Sequence, residues 1–244
     1  MKGSMSDAAV TFKNVDLYKD GWNLLKETWK PLLSIGAIWL IIEALAQSSL
    51  QYVEQQENSL LSLSVSLASL ALSVILQSGF IAASFRIVRE KTAEISDLFA
   101  QKPVWMNYFL ALIAYQLLVA LGTILLIVPG IYWALKYSQV LYLIVDKKVG
   151  VSEAFNMSGR MTQGMLLKLL GFGLISIPLN LIGLLALGVG VFVTLGITAL
   201  AYVLLYEKLL QRIGTTQVAA VVKESPPANP TTPVDPPTSA SSKT

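Results

Sequence analysis

Hydrophobic and polar positions fall along this chain in long blocks rather than in short periods. Runs of about twenty almost uncharged apolar residues recur between shorter polar stretches. A hydrocarbon layer about 30 Å thick needs about 20 such residues per helix. The pattern therefore predicts an all-α, polytopic membrane protein with six transmembrane helices, at about residues 31–51, 60–85, 105–128, 131–146, 165–183 and 189–210. Pro31 would open the first span, where a missing N–H is harmless. The Pro129-Gly130 pair interrupts the apolar signal and reads as a tight turn between the third and fourth. The chain then divides into a flexible N-terminus (1–14), a membrane domain (15–212) and a Pro/Ser/Thr-rich tail (213–244) with almost nothing to bury, expected to be disordered.

Two further stretches have helical periodicity without the length or hydropathy of a span. In "VDLYKDGWNLLKETWKPLL" the residues Tyr18, Trp22, Leu25 and Trp29 form one stripe, with Lys19, Lys26 and Lys30 off it. This is the signature of an amphipathic helix lying at the headgroup level, or of a cytoplasmic helix packed on the rest of the protein. In "DKKVGVSEAFNMSGRMTQG" Ser152 is a plausible N-cap. Val151, Ala154, Phe155, Ser158 and Met161 make an apolar face, while Glu153, Asn156, Arg160 and Gln163 make a polar one. That polar face is either a candidate cytoplasmic interaction surface or a plainly solvated one.

Charge sharpens the topology. Seventeen of the eighteen Lys and Arg residues fall before the first span, between the second and third, between the fourth and fifth, or after the sixth, counting Lys168 and Lys208, which stand just inside the ends of the fifth and sixth spans on that same side. Basic residues collect on the cytoplasmic side of a membrane, so both termini are expected there, in a bacterial inner membrane. The first thirty residues lack the apolar core and cleavage site of a secretory signal, and the first span is expected to serve as its own insertion signal. Lys136 alone breaks the pattern. The net charge of +3 has this simpler explanation and does not point to nucleic acid.

Candidate chemistry is sparse. The chain has no Cys and no His, which removes thiolate sites, the commonest metal ligand and the usual general base. No nucleophile elbow, phosphate loop or paired acid and base carboxylates occur, so no cofactor, metal or catalytic residue is expected. A charge inside the membrane is the default place to look for function. Two qualify: Glu43 in "WLIIEALAQ" and Lys136, each roughly 9–12 Å below the outer edge at about 1.5 Å per residue. They are readable as a polar-path pair, as a structural ion pair, or as two side chains that snorkel independently. Along the second span Ser62, Ser66, Ser69, Ser73 and Gln77 make a polar line, fit for close helix packing or for facing water.

The order of "GWNLLKETWKPLL", "IVPGIYWALKYSQVLYLIVD", "SEAFNMSGRMTQG" and "GLLALGVGVFVTLGITALAYVLLYEKL" resembles a broad group of bacterial six-helix membrane proteins, grouped as domains of unknown function. That group is related to the membrane domain fused to some glycerophosphodiester phosphodiesterases. The resemblance covers about residues 13–212 and rests on Pro129, Gly130, Ile131, Lys136, Asp146, Ala154, Ser158 and Gly164. The chain departs from it at Lys136, where the group more often has arginine, and at Leu195-Gly196, where it often has proline. The phosphodiesterase domain has no counterpart, so hydrolysis is not implied. The expectation is a non-enzymatic organising or accessory membrane protein. Its partners would be the lipid bilayer and either a second copy or another membrane protein. The alternative is a permeation pathway for a lipid or small amphiphile through Glu43 and Lys136.

Overall fold

A computed structural model of the chain describes residues 12–54, 59–185 and 189–214. The expected tail, most of the expected flexible N-terminus and the tip of the last hairpin lie outside these residues. Among the described residues the regular structure is entirely helical. Five helices are long and apolar enough to cross a membrane: α1 (Asn14–Glu54), α2 (Ser59–Glu90), α3 (Trp105–Leu125), α7 (Leu166–Leu185) and α8 (Val189–Ile213). Three are short: α4 (Ile127–Lys136), α5 (Val140–Lys147) and α6 (Val151–Thr162). Single 3-10 turns at Ile95–Phe99 and Lys102–Val104 link α2 to α3.

The amphipathic stripe near the N-terminus and the first span are two helical segments that follow one another directly within α1. The backbone leaves helical geometry between them at Thr28 (φ −119°, ψ 26°), which makes a kink. Pro31 lies three residues beyond the kink, in the first turn of the second segment, where a missing N–H is harmless. The stripe also divides. Leu17, Tyr18, Leu25, Thr28, Leu32 and Ile35 are buried, whereas Trp22 and Trp29 are 45% and 51% exposed. The hydroxyl of Tyr18 donates to the Phe172 carbonyl oxygen at 2.8 Å and meets the Ser176 hydroxyl, locking this half of α1 to α7. The ammonium groups of Lys26 and Lys30 lie 5.8 and 5.7 Å from the rings of Trp22 and Trp29. The same helix thus packs inward by one face and presents aromatic rings with cations by the next.

The largest departure from expectation lies between residues 126 and 147. The chain reverses at Leu126, whose backbone is extended (φ −164°, ψ 141°). Pro129 and Gly130 are not the turn; they belong to the first turn of α4, where backbone N–H groups lack helical partners and a proline loses nothing. Gly130 instead permits close packing: a Cβ on Gly122 of α3 would fall 2.9 Å from its Cα. Nor is the expected helix 131–146 continuous. α4 stops at Lys136, residues 137–139 form a turn, and α5 resumes at Val140.

The cause of the break is α6. Ser158 and Thr162 donate to the Lys136 carbonyl oxygen at 3.0 and 2.9 Å, and the Gln139 N–H donates to the Ser158 hydroxyl at 3.3 Å. Helix-end groups that would otherwise be buried unpaired are satisfied by side chains 19–26 residues away. α6 begins at Val151, with the Gly150 N–H held by the Glu153 carboxylate at 3.0 Å, so Ser152 is not its cap. Its inner face, Ala154, Met157, Ser158, Met161 and Thr162, is almost wholly buried. Ala154, Met157 and Met161 belong to the main hydrophobic core together with the fully buried Leu143 and Ile144 of α5 and Tyr206 and Leu209 of α8. The long helices keep broad apolar faces exposed, as at Leu121, Ile124, Ile177 and Leu185.

Candidate functional site

Glu43 and Lys136 are not a pair. The Glu43 carboxylate accepts from the Ser73 hydroxyl at 2.8 Å, and its other oxygen is buried without a partner. Lys136 closes α4, which packs on α3, α6 and α7, whereas Glu43 lies where α1 packs on α2. No ion pair joins them among the described residues. Similar depth along two helices says nothing about lateral distance, and these helices stand apart.

The polar line on α2 divides as well. Ser73 serves Glu43, Ser69 is buried, and Ser66 donates to the Ser62 carbonyl oxygen of its own helix at 2.8 Å. Ser66 and Gln77 are exposed. A hydroxyl returned to its own helix has no need of a water-filled path.

What the fold does bring together is Lys136 and the polar face of α6. A cavity of about 480 Å³ opens between α4, α6 and the start of α7, lined by Lys136, Asn156, Arg160 and Gln163 together with Tyr132 and Tyr137. The break after Lys136 produces this arrangement. Ser158 and Thr162 hold the end of α4 against α6, so the side chain of Lys136 lies over Gly159. Its ammonium is 5.6 and 5.3 Å from the ring centroids of Tyr132 and Tyr137, within cation–π range. Glu153, the fourth residue of the polar face, points to the Gly150 N–H instead and does not line the cavity.

The electrostatics of this cavity are one-sided. No acidic residue lines it, and neither Lys136 nor Arg160 makes an ion pair among the described residues. A third cation reaches the rim: Arg212 of α8 donates to the Gln163 carbonyl oxygen at 2.6 Å. Two fixed positive charges, two side-chain amides and two phenol rings in one concave site suit an anion with several acceptor oxygens. A second, shallower hollow of about 380 Å³ shares Tyr137, Phe155 and Asn156 with it and continues to Ala114 and Leu118 of α3. Among the described residues no three His, Cys, Asp or Glu side chains gather as a metal site would require.

The sequence singled out Asp146, but not the partners that gather a second charged cluster around it. Arg89 of α2 donates to Asp146 of α5 at 2.5 Å and to Glu207 of α8 at 2.6 Å. Tyr206 donates to the second Asp146 oxygen at 2.7 Å, and Lys147 lies 3.0 Å from it. The available signal was that Arg89, Asp146 and Glu207 each close an apolar run. Nearby, one nitrogen of Arg86 reaches both Asp97 oxygens at 2.6 and 2.7 Å.

The fold defines an all-helical protein with five helices fit to cross a membrane. The chain matches no protein-family model, no curated protein and no solved structure.

Proposed function

We propose that the chain is a non-catalytic accessory or organising protein of a bacterial cytoplasmic membrane, and that it acts by holding an anionic lipid headgroup in the cavity between α4 and α6. The observation that carries this reading is Lys136 and Arg160 together in a cavity without a carboxylate. Two cations held near one another repel, and a phosphate-bearing headgroup relieves that repulsion while accepting from Asn156 and Gln163. Acyl chains then have the adjoining hollow along Ala114 and Leu118. Six crossings follow if α4 and α5 together form one broken span of 21 residues, Ile127 to Lys147. Irregular backbone at membrane depth is tolerated where protein satisfies it, as Ser158 and Thr162 do here. The basic residues then gather on the cytoplasmic side with both termini. Cysteines placed by Leu126→Cys and Lys148→Cys in an otherwise cysteine-free chain should label from opposite faces; labelling from one face removes the sixth crossing.

The headgroup reading is tested by offering the full chain in mild detergent an equal mixture of phosphatidylglycerol and phosphatidylcholine, and weighing the retained lipid by native mass spectrometry. Preferential retention of phosphatidylglycerol is expected. A charge-assisted hydrogen bond contributes about 1.5–3 kcal/mol, about ten-fold or more in affinity. Lys136→Gln with Arg160→Gln should therefore abolish the preference. Equal retention of the two lipids by the wild-type chain would refute the proposal.

The broken span beside the cavity favours a second reading, movement of the same amphiphile across the bilayer, because transport sites commonly sit at interrupted helices. It predicts faster scrambling of fluorescent phosphatidylglycerol in liposomes that contain the protein, lost in the same double variant. Scrambling no faster than in empty liposomes leaves the holding role alone.

A further inference from the structure

A second cavity lies among the membrane-crossing helices and shares no lining residue with the first. It has a volume of about 260 Å³, sits between α1, α2, α5 and α8, and carries no charged residue in its lining. Aliphatic side chains of α1 and α8 line part of it, and five aromatic rings the rest: Trp39, Phe80, Tyr142, Phe192 and Tyr202. Tyr142 and Tyr202 stack nearly parallel, with ring centroids 6.1 Å apart and an 11° angle between planes. Gly36 leaves the α1 side bare, since a Cβ built there meets no atom within 4 Å.

Hydrogen bonding distinguishes this space from an accidental gap in apolar packing. The indole N–H of Trp39 is buried and has no partner. The hydroxyls of Tyr142 and Tyr202 also lack hydrogen-bond partners among the described residues, although Tyr18, Tyr115 and Tyr206 in the same bundle each donate to one. The two tyrosine hydroxyls are thus unpaired donors at one apolar, uncharged cavity, while the Trp39 nitrogen exposes no surface to it. Each hydroxyl is costly in such surroundings unless an acceptor arrives. An ionised ligand would find no counter-charge, and a hydrocarbon would leave both hydroxyls unpaired. The volume falls below the roughly 300–1,000 Å³ of sites for drug-sized ligands, which suits a ring-sized head rather than a whole lipid.

From this juxtaposition we infer that the cavity between α1, α2, α5 and α8 binds the ring of a neutral, lipid-soluble carbonyl compound of the quinone class. The ring lies against the tyrosine pair and its carbonyl oxygens accept from Tyr142 and Tyr202. The inference concerns binding alone and is independent of the headgroup site.

The test is isothermal calorimetry of the full chain in detergent micelles, with partition into empty micelles subtracted. The probes are a short-chain benzoquinone and an alkylbenzene of matching chain length that lacks the carbonyl oxygens. The quinone is expected to bind at least ten-fold more tightly. Tyr142→Phe with Tyr202→Phe keeps the rings and removes two donors, and should bring the quinone to within a few-fold of the alkylbenzene. Gly36→Leu should fill the cavity and abolish binding of both probes while leaving the thermal midpoint unchanged or raised, which separates occlusion from misfolding. Equal affinity of the two probes, undiminished quinone binding in the double phenylalanine variant or in Gly36→Leu, or no saturable binding by the wild-type chain would each overturn the inference.

Discussion

Two clusters of basic residues in this molecule use the same chemical groups to opposite ends. Around Arg89 every charge is answered: Asp146 and Glu207 take its donors, and Tyr206 and Lys147 take what remains of Asp146. Around Lys136 and Arg160 no acidic side chain among the described residues lines the cavity, and phenol rings and amides stand where carboxylates would. A saturated cluster joins helices, here α2, α5 and α8, and has no capacity left for a ligand. An unsaturated one contributes little to the fold and keeps its capacity free. The comparison separates architecture from site without reference to catalytic groups.

The difference is broken most severely by removing Arg89. Asp146 is only 4% exposed in its side chain and would lose its principal counter-charge. Taking one partner from a buried pair costs about 3–5 kcal/mol; Arg89 itself is 41% exposed, which places the expected loss for Arg89→Leu near 3 kcal/mol. The measurement is reversible unfolding in mixed micelles. Lys136→Gln and Arg160→Gln, measured alongside, should stay within about 0.5 kcal/mol of the wild-type chain. Equal losses in the two clusters would erase the distinction.

A smaller effect is expected where the two regions are physically joined, at the break between α4 and α5. Thr162→Val with Ser158→Ala removes both donors to the Lys136 carbonyl oxygen, and a buried acceptor left unpaired costs about 1–3 kcal/mol. The change should be local. Amide hydrogen exchange should quicken at residues 137–140 and in α6 while α2 and α8 remain protected. Unchanged exchange at the break would mean that these hydroxyls do not hold it.

That break also marks how far the sequence could be read. Long apolar helices are legible because their cause is local: a hydrocarbon layer demands an unbroken run. The expected 105–128 and 165–183 accordingly fall close to Trp105–Leu125 and Leu166–Leu185. The end of α4 has a distant cause, two hydroxyls on α6, and hydropathy carries no trace of it. The division of α1 was legible for a local reason, since Pro31 stands three residues beyond the kink at Thr28. How the first segment packs was not, because that depends on its neighbours, here α7 through Tyr18 and α8. Lys136 stood out as a misplaced charge, and Asn156, Arg160 and Gln163 as a polar face. Their convergence was illegible because it depends on the break, and the attractive partner by depth, Glu43, turns out to serve Ser73.

The smallest effect is expected from salt. Screening shortens from about 10 Å at 0.1 M to about 3 Å at 1 M, and it acts on charges that water and ions can reach. The cavity around Lys136 is such a place, whereas Asp146 is sealed under Arg89 and Tyr206. Raising sodium chloride from about 0.1 to 1 M should weaken retention of phosphatidylglycerol several-fold in the wild-type chain and have almost no effect on the unfolding free energy. In Lys136→Gln with Arg160→Gln the salt dependence of retention should vanish, because no charge remains there to screen. If retention is unaffected by salt in the wild-type chain, the lipid is held by its acyl chains along Ala114 and Leu118, and the unanswered cations are not what recognises it.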